Sequence, residues 1–131
     1  MIIDCNVTLG NWPFRRLVNT DPGAFLGLMD NVGIGQAWGS PFEAIFYNVV
    51  QEANEQLALE LDGFQDRFIQ LPVVNPNYPG WADDLAECLE WSLPGFRLYP
   101  SYHAYSLQNE SFLEMLTEIP AAERFVQIVV R

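Results

Sequence analysis

Short apolar runs alternate along the whole chain with longer stretches of helical periodicity, and that alternation restricts the fold more than any other feature. The apolar runs are Ile2 to Val7, Ile34 to Trp38, Phe68 to Val74, Gly95 to Tyr99 and Phe125 to Val130, all read as strands. Asp21-Pro22 reads as a helix N-cap with proline at the first helical position. Phe25, Leu28 and Met29 then form an apolar stripe, and Gly33 stops the helix. A second helix is expected from Ile45 to Leu61, with Val49, Ala53, Leu57 and Leu61 on one face. A third spans Trp81 to Ser92 and a fourth Glu110 to Ile119. Strands joined by helical crossovers of this length run parallel with right-handed connections, so the fold class is α/β. At 131 residues and 50% hydrophobic, the chain has enough apolar material for one core, and no repeat or composition break divides residues 1–131 into two domains.

Charge removes several function classes. Seventeen acids face six arginines, lysine is absent, and the formal net charge is −11. No basic stripe is present for a phosphate backbone, so nucleic acid is excluded as a partner. No apolar run reaches the ~20 residues of a membrane helix and no basic leader precedes the first strand, which reads as a cytoplasmic, soluble protein without membrane association. Without lysine there is no Schiff-base chemistry on a side chain, no P-loop and no carbamylated lysine between two metals. Cys5 and Cys88 lack metal or redox spacing and are read as reduced thiols, with Cys5 expected to be a small buried group in its strand.

The first strand carries the chemical question. Met1-Ile2-Ile3-Asp4-Cys5-Asn6-Val7-Thr8-Leu9-Gly10 places polar residues at alternate positions, so Asn6 and Thr8 are expected on one face at the strand's carboxyl end. This opening resembles the first strand of the amidohydrolase-related superfamily of metal-dependent hydrolases and decarboxylases, roughly Ile-Asp-x-His-x-His-Leu-Gly. Asn54-Glu55, then Gln65-Asp66-Arg67-Phe68 leading into Val73-Val74-Asn75-Pro76, and Pro94-Gly95-Phe96-Arg97-Leu98-Tyr99-Pro100 before a Tyr102-His103-Tyr105 loop, are similar to later family segments in the same order.

The resemblance implies a TIM-barrel scaffold of which these parallel (β/α) units are the first five, an incomplete half barrel, since a full one needs ~250 residues. It also implies a divalent metal such as zinc. Here, however, Asn6 and Thr8 stand at both histidine positions, and Phe125 to Arg131 holds no histidine where the family's fifth strand commonly ends in one. An amide oxygen and a hydroxyl are weak zinc ligands. No metal site and no cofactor are therefore expected.

The remaining candidates divide between chemistry and structure. His103, the one histidine, stands after strand four where a catalytic base would be placed, or it packs the loop. Asp4 either orients a neighbouring group or accepts hydrogen bonds from nearby backbone or arginine. Arg97 and Tyr99 share a strand face, where Arg97 either clamps a carboxylate or pairs with an acid such as Asp4. Asn6, Thr8 and Tyr102 complete the expected ligand-binding set, with Ser40 and Asn75 at other strand ends. Trp12, Pro13, Phe14, Arg15 and Arg16 form an aromatic and cationic loop that either recognises an anion or partner or caps the core.

An open parallel sheet leaves edges exposed, so a homo-oligomer is expected. Three functions follow: a silent relative binding a small anionic, carboxylated molecule; an active metal-dependent hydrolase or decarboxylase of such a compound; or a self-associating interaction module.

Overall fold

The computed structural model describes residues 1–10 and 21–130. The Trp12 to Arg16 loop lies outside the described residues. The elements are β1 (Ile2–Leu9), α1 (Pro22–Val32), β2 (Ile34–Pro41), α2 (Glu43–Phe46), α3 (Gln51–Glu60), β3 (Phe68–Gln70), α4 (Trp81–Glu90), β4 (Gly95–Leu98), α5 (Glu110–Ala121) and β5 (Phe125–Ile128). All ladders are parallel, with β1-β2-β3 in one sheet and β4-β5 in another. The segment after β3 joins them. The Leu71 N–H donates to the Gly39 carbonyl at 2.7 Å, and the Arg97 N–H donates to the Pro72 carbonyl at 3.0 Å.

Local chemistry accounts for most boundaries. The Asp21 carboxylate accepts the Ala24 N–H at 2.9 Å, and Gly33 closes α1 with φ +77°, a left-handed conformation suited to glycine. The expected single helix from Ile45 to Leu61 is instead two helices, α2 and α3. Tyr47 is extended between them, and Val49-Val50 resists helix through its β-branching. The break also places Val50 in the core beside Val73 and Tyr99, while Val49 is left outside at 46% exposed.

The third strand is also shorter than expected and ends at Gln70. Proline at 72 has no N–H to give a ladder. At Val73 the backbone pairs with a side chain: its N–H donates to Asn54 Oδ1 at 2.9 Å, and its carbonyl accepts from Asn54 Nδ2 at 2.7 Å. The amide of Asn54 thus does for Val73 what a neighbouring strand does for other residues. Gln70 Nε2 fixes the same helix by donating to the Asn54 carbonyl at 2.8 Å.

Three apolar clusters hold these elements. Val7, Leu9, Met29, Ala37, Leu57, Leu61 and Phe68 pack β1, β2 and β3 against α1 and α3. Leu85, Cys88, Phe96, Leu98, Phe112, Met115 and Ile119 pack β4 against α4 and α5. Ala44, Ile45, Val50, Val73 and Tyr99 close over the carboxyl ends of the strands. Arg67 ties the start of β3 to β2 by donating to the Gly35 and Ile34 carbonyls at 2.7 and 3.1 Å, and it also meets Asp30 at 2.7 Å. That ion pair is exposed enough to contribute little, so the carbonyl bonds carry the link. Gly95 has a steric requirement: a Cβ there would lie 2.6 Å from the Phe125 carbonyl oxygen, so the β4-β5 seam admits only glycine.

An acidic seam between α3 and α4 carries a pH signature. Glu55 shares a side-chain hydrogen bond with Glu87, which raises its pKa with help from desolvation and from Glu87, Glu52 and Asp84 charge. Asp84 is raised by burial first, then by Glu87 and Asp83. Folded-state pKa values above the unfolded ones mean stability that is fully present below the unfolded values and lost as pH rises through the folded ones. The seam's own contribution to thermal stability, read against Glu55→Gln at each pH, should therefore grow from pH 7 down toward the ordinary glutamate value of 4.5. A difference that stays constant with pH would show that the shared proton is not formed.

Candidate functional site

The site begins with an irregularity in β1. Asp4 pairs with Ala37 and Val7 with Gly39, so three residue steps on β1 oppose two on β2, a β-bulge. The extra residue breaks the simple alternation on which the expected shared face of Asn6 and Thr8 rested. The Asp4 carboxylate accepts the Asn6 N–H at 3.0 Å and lines a groove beside α1 with Val7, Phe25 and Met29. Its carboxylate bonds within the bulge and lies on the α1 side, apart from the other candidates. Asn6 is exposed and Thr8 half-buried.

Arg97 reaches from β4 to the backbone of the bulge and of the strand beside it. Its NH1 donates to the Val7 carbonyl at 2.6 Å, its NH2 to the Cys5 and Trp38 carbonyls at 2.9 and 3.2 Å, and its Nε to Gln127 Oε1 at 2.6 Å. The Arg97 side chain is 1% exposed. The alternative pairing with Asp4 does not form; among the described residues the one ion pair is Arg67 with Asp30. Arg97 is thus a buried, permanently charged group surrounded by neutral acceptors.

Tyr99 sits immediately beyond it on the same strand face. Its hydroxyl has Arg97, Ser40 and Thr8 as hydrogen-bonding neighbours, and burial pushes its pKa up against the lowering effect of the guanidinium. It is a neutral hydroxyl at pH 7. The Ser40 hydroxyl donates to the Leu71 carbonyl at 2.6 Å. His103 is 5% exposed, with Nε2 2.7 Å from the Ala44 carbonyl. A carbonyl only accepts, so Nε2 carries the proton and Nδ1 is the basic nitrogen; among the described residues Nδ1 has no partner. Burial lowers the His103 pKa, so the ring is neutral. It lies 6.2 Å from the Tyr99 ring and fastens α2 over the strand ends through the Ala44 carbonyl. Tyr102, 39% exposed, forms the rim, edge-on to Phe46 at 6.1 Å and Tyr99 at 6.2 Å.

Thr8, Ser40, Arg97 and Tyr99 therefore come together, His103 stands behind them, Tyr102 and Asn6 are at the surface, and Asp4 faces α1. Asn75 is absorbed by the loop, donating to the Asn48 carbonyl at 3.2 Å and accepting the Asn77 N–H at 3.0 Å. Sequence reasoning missed Gln127, which orients Arg97 and also donates to the Cys5 carbonyl at 3.0 Å. Its signal was available: a polar residue in the apolar run Phe125-Val126-Gln127-Ile128 needs a buried partner.

The two cysteines reverse one expectation. Cys5 is exposed, because β1 has a ladder partner on one side only, whereas Cys88 is buried and its thiol is pushed up to about 12, mainly by desolvation. Titration with a thiol reagent should find one fast group in the native protein and two after denaturation, with Cys5→Ser abolishing the fast one.

No family model matches the sequence, and no curated protein matches it. Solved structures do. A probable 2-pyrone-4,6-dicarboxylic acid hydrolase from Acinetobacter baumannii, with citric acid bound, superposes with a TM-score of 0.65 at 13% identity over 97% of this chain and 48% of that one. An amidohydrolase from Mycobacterium avium subsp. paratuberculosis K-10 gives 0.59 at 19% identity over 82% of this chain and 33% of that one. The likeness is one of fold. This chain spans about half the length of the first structure and a third of the second.

The family that the sequence resembles implies a divalent metal, and the described residues at the strand ends offer no ligand set suited to one. Among the described residues no three of His, Cys, Asp or Glu converge. Asn6 and Thr8 offer only neutral oxygens, and the guanidinium of Arg97 lies against the same strand end as a fixed positive charge. Among the described residues no helix is long and apolar enough to cross a membrane.

Proposed function

We propose that this chain consists of the first five units of an amidohydrolase-type barrel and binds a small carboxylated compound, without a metal, at the carboxyl ends of β1, β2 and β4. The observation that carries this reading is Arg97, a buried cation with no carboxylate partner among the described residues. A buried charge without a counter-ion is costly, and a ligand carboxylate seated over Thr8 and Tyr99 would supply one. The Arg97 N–H groups are already engaged by carbonyls, so the guanidinium acts through its field: about 3 kcal/mol for a carboxylate roughly 6 Å away at an effective dielectric of ~20. The direct donors are the hydroxyls of Thr8 and Tyr99, with the exposed Asn6 amide at the margin. The Acinetobacter structure's dicarboxylate name and its bound citric acid favour the same ligand class.

Thermal unfolding with citrate and small dicarboxylates tests this, with phenanthroline present to remove metals and sulfate at equal ionic strength as control. At a hundredfold excess over Kd, the expected stabilisation is about 2.7 kcal/mol, or ~10 °C in Tm. Thr8→Val and Tyr99→Phe should each weaken it. No shift beyond the sulfate control would end the reading. A shift that requires added zinc, or a stoichiometric metal in the purified protein, would restore the metal-dependent hydrolase instead.

A further inference from the structure

The strands part between β3 and β4, and the gap leaves a cavity at the end opposite the carboxylate site. β3 pairs with β2 and β4 with β5, while among the described residues one backbone bond crosses between them, from the Arg97 N–H to the Pro72 carbonyl. Proline has no N–H to return, so no ladder draws the two strands together below it. There the last turn of α3, the residues of β3 and the segment from Trp91 to Pro94 surround about 310 Å³. The whole lining falls between residues 58 and 94, all of them described.

Its chemistry is neutral and largely apolar. Leu61, Phe68, Trp91, Leu93 and Pro94 supply the apolar surface, and no lining side chain is charged in a chain of net charge −11. Gln65 and Ser92, both exposed, mark the mouth. One polar group in the wall lacks a protein partner. Gln70 is 4% exposed, and its Nε2 donates to the Asn54 carbonyl at 2.8 Å, which fixes the amide's orientation because a carbonyl only accepts. Gln70 Oε1 accepts no hydrogen bond from any described residue. The Gln65 amide, by contrast, is taken up by the Gly63 N–H at 2.8 Å and by Asp62 at 3.1 Å. A buried acceptor left unpaired is costly, and a ligand donor would remove that cost.

We infer that this cavity is a second ligand site, taking a small neutral aromatic compound with one hydrogen-bond donor, a phenol or an indole, whose ring lies against Phe68 and Trp91 and whose donor meets Gln70 Oε1. Size and polarity decide the class together. A cavity of this volume stands at the lower end of ligand pockets and holds one or two rings. Aromatic walls suit an aromatic body. An anion would find no cation in the lining and a cation no carboxylate, while a plain hydrocarbon would leave Oε1 unpaired. The site shares no residue with the carboxylate reading and is independent of it.

Fluorine NMR of 4-fluorophenol with the purified chain should show saturable binding with a Kd of roughly millimolar or below. Fluorobenzene, the same ring without a donor, should bind about tenfold more weakly. In amide spectra of the wild-type chain, 4-fluorophenol should shift Ile69, Gln70 and Leu93 and leave α1 and α5 in place. Ala58→Phe, at a half-buried position in the cavity wall, should fill the space and abolish binding with an unchanged circular dichroism spectrum. The two ligands are compared on the wild-type chain, so their difference is readable even where the variant does not fold. Absence of saturable binding, equal affinity for the two compounds, shifts centred on another part of the molecule, or full binding by folded Ala58→Phe would each overturn the inference.

Discussion

Replacing Arg97 with methionine is expected to lower stability by about 4 kcal/mol or more, close to the whole margin of a small domain at ~5–15 kcal/mol. Two effects oppose each other. Removing a buried cation relieves its desolvation, which by itself favours the apolar residue. Against that, the carbonyls of Val7 and Trp38 and the Gln127 oxygen lose the guanidinium donor together, at about 1–3 kcal/mol for each buried acceptor left unpaired, while the Cys5 carbonyl keeps the Gln127 amide. These orphans outweigh the relief, because a guanidinium is weakly hydrated to begin with. Arg97→Lys should fall between, since an ammonium retains the charge but cannot span acceptors arranged for a planar fork. The urea midpoint should move in the order wild type, lysine, methionine with an unchanged slope. A methionine variant as stable as the wild type would show that the bulge carbonyls need no partner.

Asn54→Asp is the second large effect, and its pH dependence makes it specific. Asn54 is fully buried, and the change exchanges the Nδ2 donor facing the Val73 carbonyl for an oxygen, placing a carboxylate against an acceptor. About 3 kcal/mol should be lost at pH 7. Protonating the new carboxyl restores a donor, so its folded pKa must lie above the unfolded value near ~3.9. By linkage the deficit should be smallest below that value and grow as pH rises through the folded pKa. Asn54→Ala loses the same bonds and should show no such recovery. Denaturant unfolding of both variants at pH 4 and pH 7 separates a specific amide-to-backbone pairing from a general packing defect.

The strand-helix order and parallel sense were readable from the sequence because they follow from local periodicity. α1 was marked at both ends by Asp21-Pro22 and Gly33, whose chemistry is local too. What was not readable depended on partners far along the chain. Pro72 marks locally where the third strand's ladder must fail, but nothing near it says that Asn54, nineteen residues before Val73, takes up the backbone there. Nothing in Val49-Val50 alone decides that the core under Tyr99 takes one valine and leaves the other outside. The same holds at the site. The bulge between Asp4 and Val7 upset the expected alternation, and the acceptors of Arg97 lie about ninety residues away in β1 and nearly sixty away in β2. Strand position alone pointed to Arg97, Tyr99 and Thr8 as neighbours, while the direction of the guanidinium depended on those distant carbonyls.

The imidazole fastened beneath α2 sets a lower bound on the pH this molecule tolerates. A depressed folded-state pKa means that the unfolded chain takes up the proton first, so stability falls as pH drops below the ordinary histidine value of 6.5. That slope is opposite in sign to the one from the α3-α4 carboxyl seam, and the two together predict a stability maximum on the mildly acidic side of neutrality. His103→Gln, which keeps a donor for the Ala44 carbonyl without a titrating ring, should move that maximum toward lower pH.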